Sequence, residues 1–237
     1  MAEPVHLDLG TPVAVVTLDA PPLNIFDLVM RDALIEALQA VRDVDEVRVM
    51  ILAAAGKHFS AGADLSEFGS APSIHEARRI RWDRDPWSLL WDLPIPTIAA
   101  LHGVAVGSGL EMALLCDIRV AGPTCRLGLP ETKLGMLPAA GGTQSLTKAI
   151  GPHGAVPLIA LADELSGQQA LDLGVVSFAA DDPDVAARRL ADNLAGYDPV
   201  ALRALKRCLR AAVDLPLGDG LELERRLSRA VPDRHRP

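Results

Sequence analysis

Thr97–Gly142 reads TIAALHGVAVGSGLEMALLCDIRVAGPTCRLGLPETKLGMLPAAGG, and the rest of the chain is organised around it. Thr97–Leu101 is a short apolar run of the kind that forms a buried strand. Gly103 through Gly109 is a flexible turn, and Leu110–Cys116 has helical character. Glu111 falls in the first turn of that helix among Met112, Ala113, Leu114 and Leu115. A carboxylate buried among such neighbours needs a partner or a raised pKa. Twenty positions further on, Glu131 lies between Pro130 and Lys133, after a second glycine-containing turn. Two glutamates, each expected at the start of a helix leaving a glycine turn, are the feature to be explained.

Composition bounds the possibilities. A chain of 237 residues makes one large domain, or a domain with a smaller appendage. Apolar residues make up 49% and aromatics only 3%, so a core of Ala, Val, Leu and Ile is expected. The formal net charge of −8 gives no electrostatic support for nucleic-acid binding. Cys116, Cys125 and Cys208 lack metal-ligand spacing and read as reduced thiols of a cytoplasmic protein. The opening MAEPVHLDLG has acidic residues and no apolar centre, so no signal peptide is expected. No apolar run reaches the roughly 20 residues that span a membrane, and a soluble chain is expected.

Outward from the central stretch, Val13–Leu18 and Arg48–Ala54 read as strands. Between them, prolines at 21 and 22 forbid helix. Asp27 then caps a helix to about Arg42, with Leu34, Ile35, Leu38 and Val41 at helical spacing. Strand, helix and strand in this order predict a crossover in an α/β sheet. Ile74–Trp91 is predicted helical, with Trp82, Trp87 and Trp91 serving either as core or as the wall of an apolar pocket. Gly141–Ile150 begins a further helix, and Ser166 with Gln169 forms a capping box for another that Gly174 can end. Val175–Ala179 is a predicted strand. From Pro183 only helices are expected, broken near Asp198-Pro199 and Leu215-Pro216. The expected organisation is an α/β core over residues 1–182 and a helical C-terminal region over 183–237.

Gly56–Asp64 reads GKHFSAGAD, and its small residues allow a ligand close approach to main-chain N–H groups. Val106-Gly-Ser-Gly109 offers the same at the mouth of a helix, where the dipole favours developing negative charge. Two such donors converging on one oxygen make an oxyanion hole, although either loop alone reads first as a packing turn. Gly107 and Gly109 do not complete a dinucleotide fingerprint, because Met112 stands where the third glycine is required. His58 and His102 lack a third ligand at metal spacing, so no metal site is expected.

Together, His58-Phe-Ser-Ala-Gly-Ala-Asp64, His102-Gly-Val-Ala-Val-Gly-Ser-Gly-Leu-Glu111, Cys116-Asp117, Leu129-Pro-Glu-Thr-Lys-Leu-Gly135 and Pro138-Ala-Ala-Gly-Gly-Thr-Gln144 resemble the crotonase superfamily, the enoyl-CoA hydratase/isomerase family. The resemblance runs from about Val13 to Leu227. It implies a spiral of ββα units with a helical C-terminal region used in trimer formation, and assembly as a homotrimer or homohexamer. It implies an acyl-CoA thioester substrate and no cofactor, since coenzyme A enters as part of the substrate. It also implies that the N–H groups of Ala61 and Ser108 bind the thioester oxygen, that Glu111 activates water, and that Glu131 delivers the α-proton. Ala61, Gly62, Ala63, Asp64, Leu65, Gly107, Ser108 and Ala139 are then the substrate- and CoA-facing residues, although Asp64 reads first as a cap of the next helix.

Four positions depart from the family pattern: Ser108 and Ala139 stand where glycine is usual, Asp19-Ala-Pro21 lacks an arginine before the proline, and the tail is shorter than in many relatives. The expected reaction is hydration of a 2-enoyl-CoA. Isomerisation or hydration of a cyclic dienoyl-CoA uses the same enolate, and a non-catalytic acyl-CoA-binding subunit is the alternative of a different class.

Overall fold

A computed structural model describes residues 3–67, 73 and 83–231. Its main sheet has the order β1 (Val5–Asp8), β2 (Val13–Leu18), β3 (Val49–Ala54), β4 (Thr97–Leu101), β6 (Ile118–Ala121) and β9 (Phe178–Ala179). The β1–β2 pair is antiparallel and every other neighbour is parallel. A second, three-stranded sheet joins β5 (Val104–Val106), β7 (Arg126–Gly128) and β8 (Glu164–Ser166). Both strands flanking the first helix, and the one opening the central stretch, form where the apolar runs predict them.

Central strands with helices on both faces are apolar throughout. All six residues of β3 and all five of β4 are buried. Alternate residues serve opposite sides: Met50 and Leu52 face one core cluster with Ala99 and Leu101, while Val49 and Ile51 join Ile98 and Ala100 in the other. The first face is covered by α1 (Leu28–Asp43), which buries Met30, Leu34, Leu38 and Val41 and is capped by Asp27, whose Oδ1 accepts from Met30 N at 2.7 Å. Helix α2 (Pro86–Asp92) packs against α1. α3 (Ser108–Leu114), α4 (Gly142–Leu161) and α5 (Gly167–Asp172) follow. The second face is covered by α6 (Pro183–Ala195), whose Ala187, Ala191 and Ala195 recur every four residues and let the helix sit close to the strands. The chain ends in α7 (Pro199–Ala211) and α8 (Leu217–Ser228).

Several expectations are corrected. The turn from Gly103 to Gly109 contains β5, a three-residue strand too short to carry periodicity. The helix bearing Glu111 starts at Ser108, two residues early, because Gly107 at φ 53° reverses the chain there. Glu131 lies in a 3-10 turn, Pro130–Leu134. Of Val175–Ala179 only the last two residues pair, because Val175 N and Val176 N are both held by the Ala170 carbonyl at 2.8 and 3.2 Å. The helix foreseen to Ile150 runs on past a break at Gly151, where φ 72° and ψ 166° separate two helical halves. The Ser166–Gln169 capping box forms, and Gly174 takes φ 80° beyond it. Of the helix expected over Ile74–Trp91, residues 74–82, including Trp82, lie outside the described residues.

One ionic cluster ties α7 to the sheet. Asp117 Oδ2 accepts from Thr97 N at 2.8 Å and pairs with Lys206 Nζ at 2.7 Å, while its Oδ1 takes Arg210 Nη2 at 3.0 Å. Lys206 also donates to the Ile95 carbonyl at 2.5 Å, and Arg210 lies 4.0 Å over the Trp91 ring. The Lys206 side chain is only 6% exposed, and burial is the first cause of its lowered pKa, against the pull of Asp117. Removing the anion strands that ammonium. Asp117→Ala is expected to lower stability by about 3 kcal/mol, the lower end for breaking a buried pair because Asp117 is a quarter exposed. Urea unfolding checks this, and a loss under about 0.5 kcal/mol, the range of an ordinary surface substitution, would refute the anchoring role.

Candidate active site

The loop over residues 56–64 is held from both sides. Asn24 is wholly buried at φ 48°: its Oδ1 accepts from Ala20 N at 2.8 Å, and its Nδ2 donates to the carbonyls of Ala55 and His58 at 3.0 and 2.8 Å. Ser60 Oγ donates back to the Asn24 carbonyl at 2.7 Å. On the other side, Phe59 N and Ser60 N donate to the carbonyls of His102 and Val104, each at 3.0 Å.

Accounting for each amide then selects a donor. Ala61 N donates to the Leu23 carbonyl at 2.9 Å, Gly62 N to Ser60 Oγ at 3.1 Å, and Asp64 N to the Phe26 carbonyl at 3.4 Å. Phe26 N donates to the Gly62 carbonyl at 2.9 Å, so Phe26 bridges the residues on either side of Ala63. In extended chain the N–H of Ala63 therefore points away from Phe26. Among the described residues no acceptor meets it. This corrects the expectation for Ala61, whose N–H is spent on the chain segment behind the loop. Ala63 is the residue whose amide is left over.

The second loop lies against the first. Gly107 N donates to the Gly128 carbonyl at 3.0 Å, and α3 starts with Ser108. The amide of Ser108 belongs to the first turn, where N–H groups have no partner within the helix. A Cβ on Gly62 would lie 3.6 Å from Ser108 N and 3.2 Å from the Val106 carbonyl. One on Gly109 would meet Ser60 Cβ at 2.7 Å. Only glycines let these loops approach so closely.

The two glutamates flank this junction. Glu111 is 2% exposed, and its Oε1 accepts from Ala140 N at 2.8 Å and Gly142 N at 2.9 Å. Two amide donors offset the burial of its charge. Glu131 sits in a turn pinned to α4, with Thr132 Oγ1 on the Ile159 carbonyl at 2.8 Å and Lys133 Nζ on the Ala162 carbonyl at 2.7 Å. Lys133 thus serves α4. Oε1 of Glu131 is 3.1 Å from where a Cβ on Gly107 would stand, and Oε2 is buried with no hydrogen-bond partner among the described residues. Desolvation, reinforced by the charge of Glu111 and opposed by its own amide, pushes the Glu131 carboxyl up to about 7. Sequence spacing suggests a pair, and the fold brings the pair to one junction beside Gly107.

The remaining candidate residues divide. Gly107 and Ser108 line the junction. Asp64 accepts from Ser66 N at 2.8 Å at the head of the 3-10 turn Leu65–Glu67, and hydrogen bonds from Ser66 hold its carboxyl below the ordinary value. Capping accounts for it. Leu65 is 55% exposed, and Ala139 is exposed beside the Ala140 amide that binds Glu111. Sequence reasoning missed Asn24, Phe26 and the amides of Ala140 and Gly142. The Pro-Pro-Leu-Asn turn carried a signal for Asn24; backbone donors carry none.

Mixed sheets and a covered core define an α/β protein, in which two carboxylates lie close to amides that meet no partner among the described residues. Residues 9–236 match the family described as enoyl-CoA hydratase/isomerase. A 2,3-dehydroadipyl-CoA hydratase of Escherichia coli (strain K12) is 36% identical over 232 residues, 94% of this chain and 89% of that one. An enoyl-CoA isomerase/hydratase of Mycosarcoma maydis is 41% identical over 194 residues, 78% of this chain and 69% of that one. The crystal structure of an enoyl-CoA hydratase from Bacillus anthracis superposes with a TM-score of 0.90 at 32% identity, covering 96% of this chain and 90% of that one. The chain belongs to the enoyl-CoA hydratase/isomerase family of the crotonase superfamily and has its fold.

The raised Glu131 carboxyl has a consequence for stability. Its folded value of about 7 exceeds the ordinary 4.5, so the folded chain holds a proton that the unfolded chain has released between those values. Stability therefore falls as pH rises through that window, and the loss is complete above it. Glu131→Gln removes the penalty. With partial exposure discounted, it is expected to be more stable than wild type by about 1 kcal/mol at pH 8, or about 2–4 °C in Tm, converging toward pH 4.5. Thermal melts at the two pH values check this; an equal offset at both contradicts it.

Proposed function

We propose that the protein catalyses the reversible addition of water to a 2-enoyl-CoA, giving a 3-hydroxyacyl-CoA. The observation that carries the reading is the pairing of Glu111, held by two amides, with Glu131, raised to about 7, beside the amides of Ala63 and Ser108, which meet no partner among the described residues. The thioester oxygen accepts from Ala63 N–H and Ser108 N–H, which polarises the enone and makes its β-carbon electrophilic. Glu111 takes a proton from water as the water oxygen bonds to the β-carbon. The resulting enolate is stabilised by the two amides, and Glu131 gives its proton to the α-carbon. One proton is taken up and one delivered, so the atoms balance without a cofactor. Ser108 and Ala139, in place of the usual glycines, keep the backbone N–H.

A second reading, isomerisation through the same enolate, is supported by the relative named isomerase/hydratase. It needs only one carboxylate to shuttle a proton, so the pair favours hydration. The reading includes a homotrimer or homohexamer in the cytoplasm, where thiols stay reduced. Leu205 and Leu209 on α7, Val213 just beyond it and Leu217 on α8 are 54–79% exposed, which supports assembly through these helices. Light scattering that returns a monomer at working concentration would remove this element.

Loss of the enone absorbance of crotonyl-CoA on adding purified protein tests the reaction. Glu111→Gln and Glu131→Gln are each expected to lower kcat by about 10²–10⁴-fold. Hydration needs Glu131 protonated, so kcat/KM is expected to decline as pH rises through about 7. Binding of CoA thioesters without turnover would favour a non-catalytic subunit, and full activity in either variant would remove that glutamate from the mechanism.

A further inference from the structure

Trp87 reaches both arms of the amide pair. It is 6% exposed in α2, and its indole Nε1 donates to the Ser108 carbonyl at 3.4 Å, the long end of a hydrogen bond. Its ring packs on Phe26 with centroids 5.4 Å apart and planes 51° to each other, and the Arg31 guanidinium lies 5.3 Å over it. Phe26 in turn makes the two backbone bonds on either side of Ala63. One rigid side chain thus spans the two loops, its ring against the residue that orients Ala63 and its N–H on the residue that presents the other amide.

We propose that Trp87 is a positioning residue for the reaction, setting the Ser108 amide in register with that of Ala63. The proposal rests on the assignment of those two amides to the thioester oxygen. Filling the core here requires only a large apolar side chain, whereas holding the Ser108 carbonyl requires the indole N–H. Each donor must end near 2.7–3.1 Å from the developing oxyanion. A displacement of about 1 Å is enough to reduce rate about 10²-fold. Losing one long hydrogen bond moves the turn by less, so the expected effect is smaller and falls on kcat rather than on binding.

The test replaces Trp87 by Phe (Trp87→Phe) and, separately, by β-(3-benzothienyl)alanine, which keeps the indole shape without the N–H and so preserves packing. Both proteins are expected to bind crotonyl-CoA with KM within about twofold of wild type while kcat falls about tenfold, a fraction of what loss of a whole oxyanion donor does. The second readout is 4-dimethylaminocinnamoyl-CoA, whose absorbance moves to the red when its carbonyl is polarised. The wild-type shift is expected to shrink in both variants. An unchanged kcat and an unchanged shift in the benzothienyl protein would overturn the proposal and leave Trp87 as core. If the wild-type protein binds the probe without any red shift, the assignment of Ala63 and Ser108 is what fails, and the role of Trp87 falls with it.

Discussion

Burying the carboxylate of Glu111 is the constraint on which the rest of the site depends. An anion with almost no exposure must find donors, and it finds them in Ala140 N and Gly142 N, about thirty residues away in sequence. That need joins the start of α3 to the turn before α4 and fixes what can stand at position 142. A Cβ there would lie 2.7 Å from Pro138 Cβ and 2.9 Å from Glu111 Oε1, so any larger residue would push the carboxylate from its donors. The same charge then acts on Glu131, adding to the desolvation that lifts its carboxyl toward neutrality. One buried anion therefore organises the backbone around itself and prepares a second acid beside it.

The amides come from a different kind of economy. Residues 59–64 spend nearly every N–H on the segment around Asn24, on His102 and Val104 at the start of the second loop, or on Ser60 within their own loop. Tight pairing on both edges leaves Ala63 as the exception, because its neighbours on each side are engaged with Phe26. At the second loop the exception is the ordinary consequence of starting a helix. Unsatisfied donors at a protein surface are cheap when a ligand or solvent can reach them, and expensive when buried. Their position at the junction of two glycine-dependent loops supports a role in holding an oxygen, as the proposed reaction requires.

Support for this junction reaches far into the fold. The main sheet carries the central stretch at β4, and Asp117, just beyond α3, locks Thr97 to Lys206 and Arg210 of α7. Arg119, half-buried, donates to the carbonyls of Cys116 and Val175 at 2.6 and 2.7 Å and so holds the far end of α3. Both ends of the short helix that carries Glu111 are thereby restrained, which is what a carboxylate of defined direction needs.

Much of this was legible in the order of residues. Apolar runs located β2, β3 and β4, Asp27 marked the start of α1, and Ser166 with Gln169 marked that of α5, because these signals act within a few residues. The motifs around Glu111 and Glu131 pointed to the family, and the resemblance implied a role for both acids. What the sequence by itself determined was the family, the main secondary structure and the pair of glutamates. Tertiary structure alone decided that Ala61 is spent on Leu23 while Ala63 is left over, that three-residue strands form a second sheet, and that Glu131 is raised toward 7. The reason is physical: helix caps and apolar periodicity are local, whereas a backbone donor's freedom and a carboxyl's desolvation depend on what the folded chain brings next to them.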